Sequence, residues 1–402
     1  MTNPILKDWA VITSLLPANW EQLADKHKLL QLQYGGNKIK TASELLRLIL
    51  VNAGAELPLR QTVALVAQSG GPDVSPMRLH KKMCRAAPYL QELLCTVVGE
   101  QRQFAPEHWA GYEVSLVDAS VVSRPGSVNG DARIHTRMRL TDLRYLQVIS
   151  TGIEAGEGLW NFCPVAGELV IGDRGYCHAR GMAYAKQCGA DVLIRFNHGA
   201  LPVTTLNGET LDLWPLLRAL RTGHAHEVSV LAHYKDGSGA ARSLPGRLCM
   251  QRLPKAQAEK AKKRVLKEHG SGVSEQTLEM AQYVIVLTTA EPDRLSAEQC
   301  LQLYRLRWQI ELQFKRWKSI CGFDRMPNHR PDTIQAWLYA KLLSAVLLEK
   351  LSSLRRELSP PIDRTSELAT ALETDQGALA HFHIRALADE ALRRASQHRR
   401  YH

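Results

Sequence analysis

The sequence predicts an α/β protein, a mixed β-sheet core with helices on its faces, flanked by helical regions at both ends. Three observations carry that expectation. Up to about residue 105 the apolar residues recur at helical spacing, and after Pro106 the period changes to the alternation of strands. Within the middle of the chain the order is β-β-β followed by β-α-β, which describes a mixed sheet. From residue 331 onward the helical period returns.

Taken in order, the first region (1–107) opens a helix at Thr41-Ala42-Ser43-Glu44, which runs to the breaker Gly54. Leu57-Pro58-Leu59-Arg60 opens a second, which ends at Ser69-Gly70-Gly71-Pro72. A third follows Val74-Ser75-Pro76, with Ser75 as N-cap and Pro76 in the first turn. The third helix carries Arg78, His80, Lys81, Lys82 and Arg85, so the pair resembles a helix-turn-helix. That spacing is common in helical proteins, and a base-reading role for His80 is the weaker reading of that residue.

Residues 108–198 contain strands over Tyr112 to Val122, Arg133 to Leu140, Leu146 to Thr151 and the apolar run Leu169-Val170-Ile171. Pro125-Gly126 and Asn129-Gly130-Asp131 mark turns. A helix over Cys177 to Gln187 and a strand from Val192 to Phe196 follow. A segment over 199–282 interrupts the pattern with strands His226 to Tyr234 and Ser243 to Met250. Its helix is strongly basic (Lys255, Lys260, Lys262, Lys263, Arg264, Lys267), and is either a solvated face or a phosphate contact. Residues 283–330 return to the sheet with Tyr283 to Thr289 and a helix capped by Ser296. The last region, 331–402, reads as helices over Thr333 to Leu351 and 368–394, separated by Pro360-Pro361 and ending in a basic tail.

Composition limits the functional classes. A formal charge of +11 over 402 residues suggests a polyanionic partner, and no basic tail accounts for it. The eight cysteines form no C-x-x-C pair and no zinc-finger spacing, as expected of a reduced, cytosolic protein. Lys341 and Lys350 interrupt the longest apolar helix, and no signal-peptide pattern opens the chain. Neither G-x-S-x-G nor a P-loop motif occurs.

One stretch carries concentrated chemistry. Over 303–318, Leu303, Leu306, Ile310, Phe314 and Trp317 form an apolar stripe of a continuous helix, at about 100° per residue. Tyr304, Arg307, Glu311 and Lys318 share a neighbouring stripe, with Trp308 and Lys315 near it. A solvated, salt-bridged helix edge is the ordinary reading of such a pattern. Two further acids argue otherwise. Asp118 lies inside an apolar strand, where an unpaired carboxylate is expensive. Asp173 ends another strand, where α/β sheets bind ligands. If those strands are neighbours the aspartates converge, and a helix carrying Glu311 can close the third side. The alternative is two acids paired with nearby Arg or Lys. Three carboxylates with few soft donors suit Mg²⁺ or Mn²⁺, and Tyr304, Arg307 and Lys318 suit phosphate.

These residues match a known pattern. Tyr304, Arg307, Glu311 and Lys318 meet the Y-(2)-R-(3)-E-(6)-K signature of the DDE transposases of bacterial insertion sequences, in the group called the insertion-sequence-four family. Val117-Asp118-Ala119-Ser120 with Arg133-Ile134-His135 is similar to that family's first acidic motif, and Gly172-Asp173-Arg174-Gly175-Tyr176 to its second. The resemblance spans about residues 40 to 330. It implies an RNase H-like core with a β-rich insertion, in which Asp118, Asp173 and Glu311 hold two Mg²⁺ ions, with Mn²⁺ able to substitute. It also implies phosphate contacts from Tyr304, Arg307 and Lys318, with Lys315 a further candidate. Trp308 is either a stacking platform for an extruded base or a packing residue. The partners implied are double-stranded DNA, as terminal inverted repeats and target, and a second copy of the chain in a homodimer. Two other readings remain: a metal nuclease on the same fold without strand transfer, and a catalytically idle DNA-binding relative.

Overall fold

The computed structural model describes residues 9–30, 39–100, 109–123, 127, 130–141, 143–320, 322 and 331–357. The chain divides into two compact units, Met1–Val97 with Arg316–His402, and Val98–Lys315. The turn at Pro125-Gly126, the Pro360-Pro361 break, the helix expected over 368–394 and the basic tail lie outside the described residues.

The first unit is helical. It begins with α1 (Trp9–Ser14), α2 (Trp20–Lys26) and α3 (Ala42–Gly54). Thr41 and Glu44 form a complete capping box on α3, as the Thr-x-x-Glu spacing predicts. Next come α4 (Leu59–Gln68) and α5 (Pro76–Glu100). The Ser75 hydroxyl accepts from the Arg78 amide at 3.3 Å, which caps α5.

The second unit is built on one nine-stranded sheet of order β3-β2-β1-β4-β5-β9-β8-β7-β6. Its first strands are β1 (Glu113–Val122), β2 (Ala132–Arg139) and β3 (Tyr145–Thr151), joined as an antiparallel meander. The central strands are β4 (Glu168–Gly172) and β5 (Asp191–Arg195), connected through α6 (Ala179–Gln187). β4 pairs parallel with both β1 and β5. Leu169, Val170, Ile171, Val192, Leu193 and Ile194 are fully buried, which explains why these two runs are apolar throughout rather than alternating.

The segment over 199–282 contributes strands to this same sheet. It contributes β6 (Val203–Thr204), α7 (Leu213–Ala219), β7 (Ala225–Lys235) and β8 (Ala241–Arg252). The basic helix α8 (Lys255–His269) and the short α9 (Glu275–Met280) follow. β9 (Tyr283–Thr288) then pairs antiparallel with β5 on one side and β8 on the other. One apolar cluster runs from Val170 and Ile194 to Val230, Leu248 and Ile285, so the added strands share the core of the central ones.

The continuous helix expected over 303–318 is corrected to two helices. α10 (Ala297–Arg305), with a capping box between Ser296 and Gln299, stops at Leu306, and α11 (Trp308–Ile320) starts after Arg307. The amides of Leu306, Arg307, Gln309 and Ile310 bond three residues back, to Leu303, Tyr304, Leu306 and Arg307. The chain is tightened into a turn there without any glycine or proline to announce it. The apolar stripe survives: Leu303, Leu306, Ile310, Phe314 and Trp317 are all buried. Within the first unit α12 (Pro331–Glu357) packs on α3. Among the described residues no helix is long and apolar enough to cross a membrane, and no described cysteine is joined in a disulfide.

Below the sheet ends a buried ion pair ties three strands together. Arg137 on β2 and Glu168 on β4 are each 1% exposed and meet at 2.7 Å. Glu168 also accepts from the Ser115 hydroxyl on β1 and the Val165 amide. Removing one member of a buried pair leaves an uncompensated charge, which costs about 3–5 kcal/mol. Glu168→Gln is therefore expected to destabilise the chain by on the order of 3 kcal/mol in urea unfolding. A loss below about 1 kcal/mol would show that the pair does not hold the strands.

Candidate active site

The two aspartates meet because of strand register. β1 and β4 are parallel with Leu116 opposite Ile171, so Asp118 and Asp173 each lie two residues beyond the last matched pair. Asp118 is held within β1 by its pairing with Thr136 of β2, and its Oδ1 accepts from the Ala119 amide at 2.8 Å. Asp173 leaves the sheet. Its Oδ1 caps the one-turn helix Arg174–Tyr176 by accepting from the Gly175 amide at 2.8 Å. Gly172 permits the crowding behind it: a Cβ there would come within 3.0–3.2 Å of Ile194, Tyr176 and Val117 side chains.

The turn between α10 and α11 brings Arg307 to the acids. Its Nη1 lies 3.9 Å from Asp118 Oδ2, and its Nη2 donates to Glu311 Oε1. Arg307 thus stands between Asp118 and Glu311. Burial opposes its charge, and Tyr304, Glu311, Asp118 and Asp173 together more than offset that, raising its pKa. The Tyr304 phenol is pushed up by burial, while the guanidiniums of Arg307 and Arg195 pull it back. Arg195, at the end of β5, donates to the Tyr283 carbonyl at 2.9 Å, and burial lowers it to about 10.

Asp118 is the most perturbed acid of the group. Burial pushes it up to about 7, the Ala119 amide pulls it down, Asp173 pushes it up again, Arg307 opposes, and Glu311 adds to the rise. Asp118, Asp173, Tyr304, Arg307 and Glu311 therefore form one electrostatic unit. Trp308, at the start of α11, is 40% exposed. Lys315 and Lys318 are exposed further along the same helix. A cavity of about 350 Å³ is lined by Arg174, Arg195, Asn197, Trp214 and Tyr283.

Among the described residues no three His, Cys, Asp or Glu side chains are grouped so as to hold a metal ion by themselves. The donor set still fits a hard cation, because Mg²⁺ is usually bound through one or two carboxylates plus waters and substrate phosphates. Reading the sequence missed Glu157, in the loop between β3 and β4, whose carboxyl is raised by burial and by Asp173. Nothing in its local sequence separates it from the neighbouring loop acid Glu154.

A mixed sheet with two acids on adjacent parallel strand ends, faced by an arginine from the turn after α10 and a glutamate from α11, defines a class: α/β proteins with an acidic site at the carboxyl ends of parallel strands. Comparison with known proteins gives the particular family. The Transposase DDE domain family matches residues 109–347. The InsL protein of insertion sequence element IS186A of Escherichia coli (strain K12) is 31% identical over 321 residues, covering 78% of this chain and 86% of that protein. The transposase for insertion sequence element IS421 of Escherichia coli is 31% identical over 322 residues, with the same coverage. The transposase for IS231E of Bacillus thuringiensis subsp. finitimus is 30% identical over 151 residues, covering 37% and 30%. The chain belongs to the DDE transposase family of bacterial insertion sequences.

The raised Asp118 makes a stability prediction. An unfolded aspartate ionises near pH 4, whereas this one ionises near 7 in the folded chain. The folded state holds the proton longer, so stability is lost as pH rises through that window, at about 1.4 kcal/mol per pH unit. Asp118→Asn, which cannot ionise, is expected to match the parent near pH 4 and to melt at higher temperature at pH 8. Equal melting temperatures across that range would contradict the burial of this charge.

Proposed function

We propose that this protein binds the terminal inverted repeats of its insertion sequence, cleaves at the element's ends, and joins the freed 3′-hydroxyls to target DNA. The observation that carries the reading is the convergence of Asp118 and Asp173 with Glu311 and Arg307 at the parallel strand ends. Family membership and the names of the relatives support transposition. On this reading the core is of the RNase H-like type, and the helical N-terminal region (1–107) engages the inverted repeats. A homodimer holds two ends together.

Asp118, Asp173 and Glu311 would hold two divalent cations, Mg²⁺ or Mn²⁺. Such ions supply an activated water and stabilisation of the leaving oxygen in phosphodiester displacement. The chain's own residues do the rest. Arg307 is kept charged by its acidic neighbours, and its planar fork suits two phosphate oxygens at once. Tyr304 offers a hydroxyl beside it, and Lys318 adds a charge further along α11. Lys315 is a second cation on that helix, and Trp308 presents an exposed aromatic face. The basic helix α8 offers further positive charge to a phosphate; its Arg264 is paired with Glu268 at 2.8 Å, and Glu268 first and Glu311 after it keep it charged.

The test is incubation with Mg²⁺ and DNA carrying the flanking repeats, reading cleavage and joining on a gel. Asp118→Ala, Asp173→Ala and Glu311→Gln are each expected to abolish both while leaving end binding largely intact. Cleavage without joined products in the parent would favour a simple nuclease, and binding without cleavage an idle relative. Arg307→Ala is expected to weaken end binding and to reduce the salt slope by about one phosphate contact. An unchanged slope would remove Arg307 from the DNA.

A further inference from the structure

Glu157 lies in a loop that is held from both sides. The side-chain amide of Asn161 donates to the Gly156 carbonyl at 2.8 Å. His178 caps α6 by accepting from the Gly181 amide at Nδ1, so its Nε2 carries the hydrogen and donates to the Glu157 carbonyl at 2.9 Å. Trp160 packs against the same imidazole, with ring centroids 4.9 Å apart and planes tilted by 40°. The backbone that carries Glu157 is therefore positioned before any ligand arrives.

Its carboxylate points into the acidic site. A Cβ built on Gly175 would lie 1.8 Å from Glu157 Oε2 and 3.2 Å from Asp173 Oδ1, so both carboxylates face the space above one glycine. The Glu157 carboxylate has neither a hydrogen bond nor an ion pair among the described residues, although Arg133 is near enough to lower its pKa against burial and Asp173. A second, independent feature marks the same place. The Tyr176 hydroxyl is completely buried and has no hydrogen-bond partner. Burial raises its pKa, and the charges of Asp118, Glu157 and Asp173 add to the rise. A partly buried carboxylate without a hydrogen bond, a second satisfied through one oxygen by the Gly175 amide, and an orphaned buried hydroxyl all retain capacity for a ligand.

We propose that Glu157 is a fourth acidic member of the site, which holds a divalent cation jointly with Asp173 across Gly175. The proposal rests on the assignment of Asp173 as a metal-binding residue. An oxygen-only pair of carboxylates suits Mg²⁺ or Mn²⁺. Gly175 matters here because any side chain at that position displaces the Glu157 carboxylate, a cheap movement of a flexible chain end rather than a backbone clash.

The test is Mn²⁺ titration of the full-length chain without DNA, followed by the electron paramagnetic resonance signal of free Mn²⁺, on the parent, Asp173→Asn, Glu157→Gln and Gly175→Ala. Melting curves confirm that each variant is folded. Glu157→Gln and Gly175→Ala are each expected to weaken Mn²⁺ binding on the order of 10-fold, and Asp173→Asn to remove the site. Loss in Asp173→Asn with parental affinity in Glu157→Gln or Gly175→Ala would overturn the proposal and leave the aspartate assignment standing. If Glu157 merely offsets the charge of Arg133, Glu157→Gln lowers the melting temperature and not the affinity, which also overturns it. Equal binding by the parent and Asp173→Asn, or none by the parent, would overturn the aspartate assignment and this proposal with it.

Discussion

The parallel pairing of β1 with β4 is the constraint on which the site depends. A slip of one residue would turn every side chain of one strand to the opposite face, and Asp118 and Asp173 would part. The register is held from below by Glu168 of β4, which takes a guanidinium from β2 and a hydroxyl from β1 in a region closed to water. The apolar faces of β4 and β5 oppose slippage as well, because Val170 and Val192 are matched and fully buried. Structure and chemistry are thus separated along the same strands. Paired charges lie inside, and under-compensated ones lie at the carboxyl ends.

That separation has an electrostatic consequence. Asp118 is desolvated and faces two other acids, so its ionised form is unfavourable in the chain alone. Arg307 offsets part of this from 3.9 Å while engaging Glu311. A group of acids that share too little positive charge has a standing affinity for cations. The same shortage keeps Arg307 charged and available to a phosphate, so the stability lost at the sheet end and the proposed function have one origin.

Part of this was legible in the sequence. The capping signals at Thr41, Ser75 and Ser296 are local, and each cap forms where the sequence puts it. The apolar stripe from Leu303 to Trp317 is buried as its spacing implies. The turn at Leu306-Arg307 was not legible, since the residues around it favour helix and the tightened bonds are set by packing. Nor was the joining of β7 and β8 to the central sheet, which depends on β9 pairing with β5 and β8 at once. Alternation along a strand identifies a strand and does not name its neighbour.

By itself the sequence determined the family, through the spacing of Tyr304, Arg307, Glu311 and Lys318 and the two aspartate motifs. It also determined most of the elements, since periodicity and capping act over a few residues. Only the tertiary structure decided which charges meet. Arg307 comes between Asp118 and Glu311 because a turn redirects it, and Glu157 comes beside Asp173 because His178 and Asn161 hold its loop over Gly175. Electrostatic interaction depends on distance through space and on exclusion of water, and neither is encoded at any fixed separation along the chain.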